Sequence, residues 1–214
     1  MRNAERDDIE MTARRERFLE EGFHIFSERG IETSLMQDVA KASGCGIATL
    51  YRYFNVKQSF VIAVAAHKWE QYFEEVEAEY ARRGGELMNA AEELEFYLSM
   101  YIRLYREHGD LLRFNQDFNS YVAHTGASRA ELADYLRAIE PFARKFHVLY
   151  EKGRRDGTIR TNEPESTMFN ATMHIMLAVC CRYAQGLVYG GEEKQDLTQE
   201  LMLLKRMILN SYLK

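Results

Sequence analysis

Residues 34–57 read Ser34-Leu-Met-Gln-Asp-Val-Ala-Lys-Ala-Ser-Gly-Cys-Gly-Ile-Ala-Thr-Leu-Tyr-Arg-Tyr-Phe-Asn-Val-Lys57, and the spacing of their apolar side chains predicts two short helices joined by a tight turn. Ser34 followed three residues later by Gln37 fits a capping box, in which hydroxyl and amide each satisfy one orphan N–H, so a helix is expected to start there. Ala40 and Gly44 stand four apart, small where a second helix has to cross closely, and Gly44 is free to take the positive φ of a sharp corner. The second helix, roughly Ile47 to Tyr53, sets Leu50 and Phe54 on one face for docking on the preceding helices. Thr49, Tyr51, Arg52 and Tyr53 are left for the other faces, where hydroxyl, phenol and guanidinium groups meet phosphates and base edges.

Charge sharpens this reading. Between Val39 and Trp69 the only formal charges are Lys41, Arg52, Lys57 and Lys68, so no carboxylate in the segment repels a polyanion. A purely structural helical corner, its tyrosines half-buried with wet hydroxyls, needs neither the acid-free stretch nor the polar cluster. The whole chain of 214 residues nonetheless carries a net charge of -5, which argues against general coating of nucleic acid and confines any DNA contact to one local surface.

From about Arg15 to Ala66 the sequence resembles the DNA-binding domain of the TetR family of transcriptional regulators. The resemblance rests on Phe26-Ser27-Glu28-Arg29-Gly30 ending a first helix, Asp38-Val39-Ala40 in the second, Thr49-Leu50-Tyr51-Arg52-Tyr53-Phe54 in the third, and Lys57 opening a fourth. It implies that Thr49, Tyr51 and Arg52 face the major groove, that Tyr53 and Lys57 bind phosphate, and that Ser34 caps its helix against the same backbone. Two positions depart from the family pattern: Gly46 stands where a capping serine is common, and Ile47 where a lysine is common. Glycine still serves as a cap at a cost of only a few tenths of a kcal/mol, and Ile47 at the helix start is placed to touch a thymine methyl.

Composition bounds the rest. Hydrophobic residues make up 46% and charged residues 29% of the chain, with 2 prolines and 13 glycines, an ordinary globular composition. There is no apolar run of about 18 residues, and the start, Met1 to Arg17, is densely charged, so neither membrane span nor signal peptide is expected and the location expected is the cytoplasm. Three cysteines, Cys45, Cys180 and Cys181, form no disulfide framework and suit reduced thiols. The vicinal pair suggests a redox sensor, but helical neighbours point about 100° apart, which strains a bridge between them.

Helical periodicity runs throughout, so an all-α chain is expected: a three-helix, helix-turn-helix DNA-binding domain over residues 1–55 and a larger helical ligand-binding and dimerisation domain over 56–214. A fourth helix from Lys57 to the Arg82-Arg83-Gly84-Gly85 stop spans on the order of 40 Å. Pro141 is expected to kink or break a helical stretch running from Ser128 to Arg155 near residues 138–140. The last two helices are expected over about Glu165 to Tyr189 and Glu193 to Leu213. The first of them is apolar around nearly its whole circumference and should be buried on every side.

So wide an apolar band on a terminal helix pair is most simply covered by the same pair of a second copy, with Met176, Val179, Tyr183, Leu197, Leu201, Leu204 and Ile208 at the two-fold seam. An entirely intramolecular bundle is the plainer alternative. A dimer would hold two recognition helices about 34 to 36 Å apart over successive half-sites of a double-stranded operator. Dimerisation through the last two helices is also what the resemblance implies.

An aromatic-rich body lies between. Trp69, Tyr101, Tyr105, Phe114, Phe118, Phe146, His147, Tyr150, Met173 and His174 are the candidate lining for a small, largely apolar or aromatic effector, although any single one of them serves equally well as core. The expected mechanism, which the resemblance shares, is a ligand that displaces the fourth helix and changes the separation of the recognition helices, releasing a repressor from its operator. An enzyme reading has little behind it. His24, His67, His108, His124, His147 and His174 show no paired spacing for a metal, no glycine-rich phosphate cradle or nucleophile elbow is present, and no cofactor is expected. A dimeric small-molecule-binding module with a vestigial helix-turn-helix is the other alternative, favoured by Gly46 and Ile47.

Overall fold

The computed structural model describes residues 2–186 and 196–214, with side chains from residue 8 onward. Among these residues the chain is all α: α1 (Arg2–Arg29), α2 (Met36–Ala42), α3 (Ile47–Phe54), α4 (Lys57–Arg82), a short 3-10 turn (Gly85–Leu87), α5 (Ala90–Glu107), α6 (Gly109–Thr125), α7 (Ala133–Asp156), α8 (Glu165–Gln185) and α9 (Thr198–Tyr212). The expected end of the penultimate helix at Tyr189 and the expected start of the last at Glu193 lie outside the described residues. No described helix is long and apolar enough to cross a membrane.

The chain divides into two compact units, residues 1–70 with 114–138, and residues 71–113 with 139–214. This differs from the expected division after residue 55, and the aromatic packing gives the reason. Phe60 on α4 lies edge-on to Phe26 at 5.7 Å and to Phe54 at 4.8 Å, while Phe114 on α6 stacks on Phe26 at 6.4 Å. Phe18, Phe26, Phe60, Phe114 and Phe118 are all fully buried, each contributing about 1.5–3 kcal/mol relative to exposure. The first turns of α4 and most of α6 therefore complete the core beneath the helix-turn-helix. Gly22 permits this closeness, since a Cβ there would come within 2.4 Å of the Phe60 ring.

Local chemistry in this unit is partly as the sequence suggested. Helix α1 stops at Gly30 with φ +84°, its N–H bonding to the Phe26 carbonyl at 2.9 Å. Gly44 takes φ +66° in the corner between α2 and α3, but nothing lies within 4 Å of a Cβ added there, so backbone conformation and not crowding requires glycine. The capping box is absent. Leu35 is the N-cap of α2 without a side-chain cap, and Ser34 is buried with its Oγ donating to the Gly30 carbonyl at 2.6 Å. A hydroxyl facing back over the loop satisfies itself locally and has no reach to the helix N–H groups.

The second unit is organised around α5, against which α8 and α9 both pack. Leu94 and Leu98 of α5, Phe146, Leu149 and Tyr150 of α7, Met168 and Met176 of α8, and Ile208 and Leu209 of α9 form its core. A capping box does occur here: Asn89 accepts from the Glu92 N–H at 3.0 Å and Glu92 accepts from the Asn89 N–H at 2.9 Å. Helix α9 is tied down by Lys205, a buried lysine whose Nζ donates to Glu95 Oε1 and to Ser99 Oγ, both at 2.9 Å. Pro141 does not end its helix, because α7 continues through it from Ala133 to Asp156. Helix α8 is not buried on every side either. Met168, Thr172, Met176, Cys180 and Cys181 form its buried stripe, while His174, Ile175 and Arg182 are exposed.

Candidate nucleic-acid interface

Helix α3 is held from below and open above. Leu50 and Phe54 are its buried residues, and Phe18 of α1 meets Phe54 at 6.4 Å and Tyr53 at 5.6 Å. The corner before it is tightly bonded, with Cys45 N–H to Ala40 O at 2.9 Å and the buried Ser43 Oγ to Val39 O at 2.8 Å. The end after it is closed by Ser59, whose Oγ donates to the Phe54 carbonyl. A helix of 8 residues fixed at both ends presents its outer face with little freedom to lose on binding.

That face consists of Ile47 (37% exposed), Tyr51 (42% exposed) and the exposed Arg52, with Thr49 and Tyr53 half-buried at its margins. The first turn has no acidic residue and an uncapped N-terminus at Gly46, so free N–H groups and a favourable dipole end are available to an anion. Of the residues expected at DNA, Thr49, Tyr51, Arg52 and Ile47 share this surface and Tyr53 borders it. Ser34 does not belong to it, being buried. Lys57 is only partly available: its Nζ donates to Ser34 O at 2.7 Å and Glu32 O at 3.2 Å, and burial holds its ammonium below the ordinary lysine value against the opposing pull of Glu32. It fastens the loop before α2 to the start of α4. Arg15 is an addition that periodicity did not single out: exposed on α1, its guanidinium lies 5.7 Å from the Phe54 ring centroid. Only the tertiary pairing of α1 with α3 identifies it.

The residues expected to line an effector site scatter. Phe114 and Phe118 belong to the first unit's core, where Phe118 meets Tyr135 at 4.7 Å. Trp69 is buried and falls in that unit as well. In the second unit, Phe146 packs on Phe169 at 5.4 Å, and Tyr150 donates its hydroxyl to the Glu163 carbonyl at 2.9 Å, closing the loop after α7. His147 and His174 are exposed, so neither lines an interior site, and His147 pairs with Glu165 at 2.9 Å. Tyr105 accepts a hydrogen bond from the Leu197 N–H at 3.2 Å. Tyr101 and Met173 are half-buried in the second unit. A histidine among apolar neighbours looks inward to a periodicity count, but the register of both helices places these two outside.

The residues expected at a seam on the last two helices divide between the interior and its margins. Met176, Leu197, Leu201 and Ile208 are buried within the chain's own fold, while Val179, Tyr183 and Leu204 are half-buried. The outward apolar side chains are instead Ile175 on α8 and Met202, Leu203 and Met207 on α9, the last two 51% and 58% exposed. Cys180 and Cys181 are both buried. Burial pushes the Cys180 thiol up to about 12, and it donates to the Tyr101 carbonyl at 3.4 Å, so no reactive thiolate is available there. Among the described residues no group of His, Cys, Asp or Glu is arranged to hold a metal ion.

Comparison with known proteins places this geometry. Residues 18–64 match the family model described as bacterial regulatory proteins, tetR family. Two uncharacterized HTH-type transcriptional regulators of Mycobacterium tuberculosis are each 26% identical over 123 residues, a match spanning 58% of this chain and 59% of theirs. The chain thus matches about three-fifths of the length of these curated relatives. Among solved structures, the fatty acid degradation regulator FadR of Bacillus halodurans aligns with a TM-score of 0.68 at 18% identity, over 91% of this chain and 94% of that one. FadR of Bacillus subtilis in complex with stearoyl-CoA aligns with a TM-score of 0.71 at 16% identity, over 91% and 97%. A putative transcriptional regulator of Saccharomonospora viridis in complex with choline gives 0.69 at 15% identity, over 95% and 99%. At such identities the solved structures establish the fold: an N-terminal helix-turn-helix followed by a helical body. Residues 18–64 are thus similar to the helix-turn-helix segment of the bacterial regulatory proteins of the tetR family.

Proposed function

We propose that this protein is a ligand-responsive, sequence-specific transcriptional regulator that binds a double-stranded operator as a homodimer in the cytoplasm. Its outward face on α3 carries the reading: Ile47, Thr49, Tyr51 and Arg52 reach the major groove, with Tyr53, Arg15 and the helix N-terminus at the flanking phosphates. One cation on so short a helix gives few phosphate contacts, so a single copy binds weakly and two copies are required for affinity. Ile175, Met202, Leu203 and Met207 supply the face across which the copies join, apolar area that a lone chain would leave in water.

A small effector in the second unit completes the cycle, relieving repression by favouring one separation of the recognition helices over the other. Proteins of similar fold crystallised with stearoyl-CoA and with choline support small-molecule response on this fold without fixing the ligand's chemistry. Selection of duplexes from a random pool, followed by titration of the selected duplex at several salt concentrations, tests the reading. A specific binder loses affinity steeply with salt, with a log–log slope of roughly -0.9 per phosphate neutralised. Failure to enrich any duplex sinks it and leaves the ligand-binding module with a vestigial helix-turn-helix, a reading that the uncapped Gly46 and the tethered Lys57 favour.

A further inference from the structure

Two buried polar atoms of the second unit, Glu77 Oε1 on α4 and Tyr97 OH on α5, have no hydrogen-bond partner among the described residues. They belong to one cluster. The other oxygen of Glu77 pairs with Lys145 Nζ, that ammonium lies 5.3 Å from the Tyr80 ring centroid, and Tyr80 stacks on Tyr97 at 5.9 Å with 9° between the ring planes. Phe96 stands edge-on to both rings, at 5.5 and 5.2 Å. The cluster is rigid, because the Tyr80 hydroxyl donates to the Gly85 carbonyl at 2.8 Å and the Gly85 backbone approaches the Tyr80 ring too closely for any Cβ.

Buried polar groups in folded proteins are almost always paired, and an orphan carries its full desolvation cost. Two orphans in one rigid aromatic cluster form a prepared hydrogen-bonding site. Glu77 Oε1 only accepts. Tyr97 keeps its proton, since burial raises the phenol well above its ordinary value with the nearby carboxylates Glu93 and Glu77 adding to the shift, so it donates. A group that satisfies both donates to Glu77 and accepts from Tyr97, two roles that a hydroxyl combines. An anion is repelled by Glu77 and Glu93. A cation is redundant, because Lys145 pairs with Glu77 and Lys152 with the buried Glu93. We infer that Glu77 and Tyr97 bind the hydroxyl of a small neutral ligand whose apolar body packs on the surrounding rings.

This inference rests on the reading that the second unit takes a small-molecule effector, and it is tested without DNA. Benzyl alcohol, toluene, benzylamine and benzoate are titrated against the full chain by saturation-transfer NMR. Benzyl alcohol is expected to bind best, and Tyr97→Phe is expected to weaken it about fivefold to tenfold, toward the affinity of toluene. The same variant, with its orphan hydroxyl removed, should melt at or above the wild-type temperature, whereas Tyr80→Phe, which breaks a satisfied bond to Gly85, should melt lower. Toluene binding as well as benzyl alcohol, stronger binding of benzylamine or benzoate, or a Tyr97→Phe melting temperature as depressed as that of Tyr80→Phe would each overturn it. A selected duplex bound by a protein that fails these tests leaves the regulator reading standing. Discrimination among the probes by a protein that binds no duplex does the reverse.

Discussion

Helices α3 and α8 both look ambiguous as strings of apolar, aromatic and polar residues, yet the fold uses them in opposite ways. Helix α3 has 8 residues, buries Leu50 and Phe54, and turns Ile47, Tyr51 and Arg52 outward. Helix α8 has 21 residues, buries a stripe from Met168 to Cys181, and turns outward a face that mixes Ile175 with His174 and Arg182. The outward groups of α3 are those that make hydrogen bonds and stack, whereas the outward apolar groups of α8 and α9 have only another apolar surface to seek. Short helices with few core contacts speak plainly about function. Long ones packed on several neighbours do not.

The largest expected effect lies beneath α3. Leu50→Ala deletes a fully buried side chain that docks the helix and should cost about 2–5 kcal/mol, read by urea unfolding, with DNA binding lost in proportion to unfolding. A cost below 1 kcal/mol would mean that α3 is not held as described. On the other side of the comparison, Leu203→Glu with Met207→Glu should convert a dimer to monomers in sedimentation velocity without lowering helicity, whereas Leu201→Ala, inside the protomer, should destabilise the chain first. Dimers that survive the double substitution place the interface elsewhere.

Smaller effects sharpen the account of α3 itself. Arg52→Ala should weaken binding of a selected duplex by about 1–3 kcal/mol without changing the melting temperature, and should flatten the salt slope by about one phosphate if the guanidinium binds phosphate, or relax base preference if it reads guanine. Smaller still, replacing thymine by uracil in that duplex deletes only methyl groups. The loss, up to about tenfold at the sensitive step, should vanish in Ile47→Ala.

The smallest effect belongs to His147, whose exposed ring is raised above the ordinary histidine value of 6.5 by its hydrogen bond to Glu165. A raised folded value means that the pair's contribution is fully present below pH 6.5 and lost as pH rises through the folded value. Comparing thermal melts of wild type and Glu165→Gln between about pH 5.5 and 9 should therefore show a gap confined to the acidic end. A gap that instead widens with pH would contradict the pairing.

Read forward from residues alone, the chain disclosed its helical class, the corner at Gly44, the stop at Gly30 and the outward set Thr49, Tyr51 and Arg52. Each depends on local chemistry: a positive φ that glycine tolerates, or two apolar residues four apart that choose a helix face. Three things came only from the tertiary structure. Ser34 became an internal loop tie and Lys57 a carbonyl clamp because of where α4 begins relative to the loop before α2. Phe114 and Phe118 joined the first unit because α6 supplies the far wall of its core. The apolar side chains that face outward are Ile175, Leu203 and Met207, with Met176 and Leu201 turned inward, because a helix that is apolar over much of its circumference fits its periodicity equally well in several rotations. Which rotation is adopted depends on packing against α5, a non-local term that no window of sequence contains.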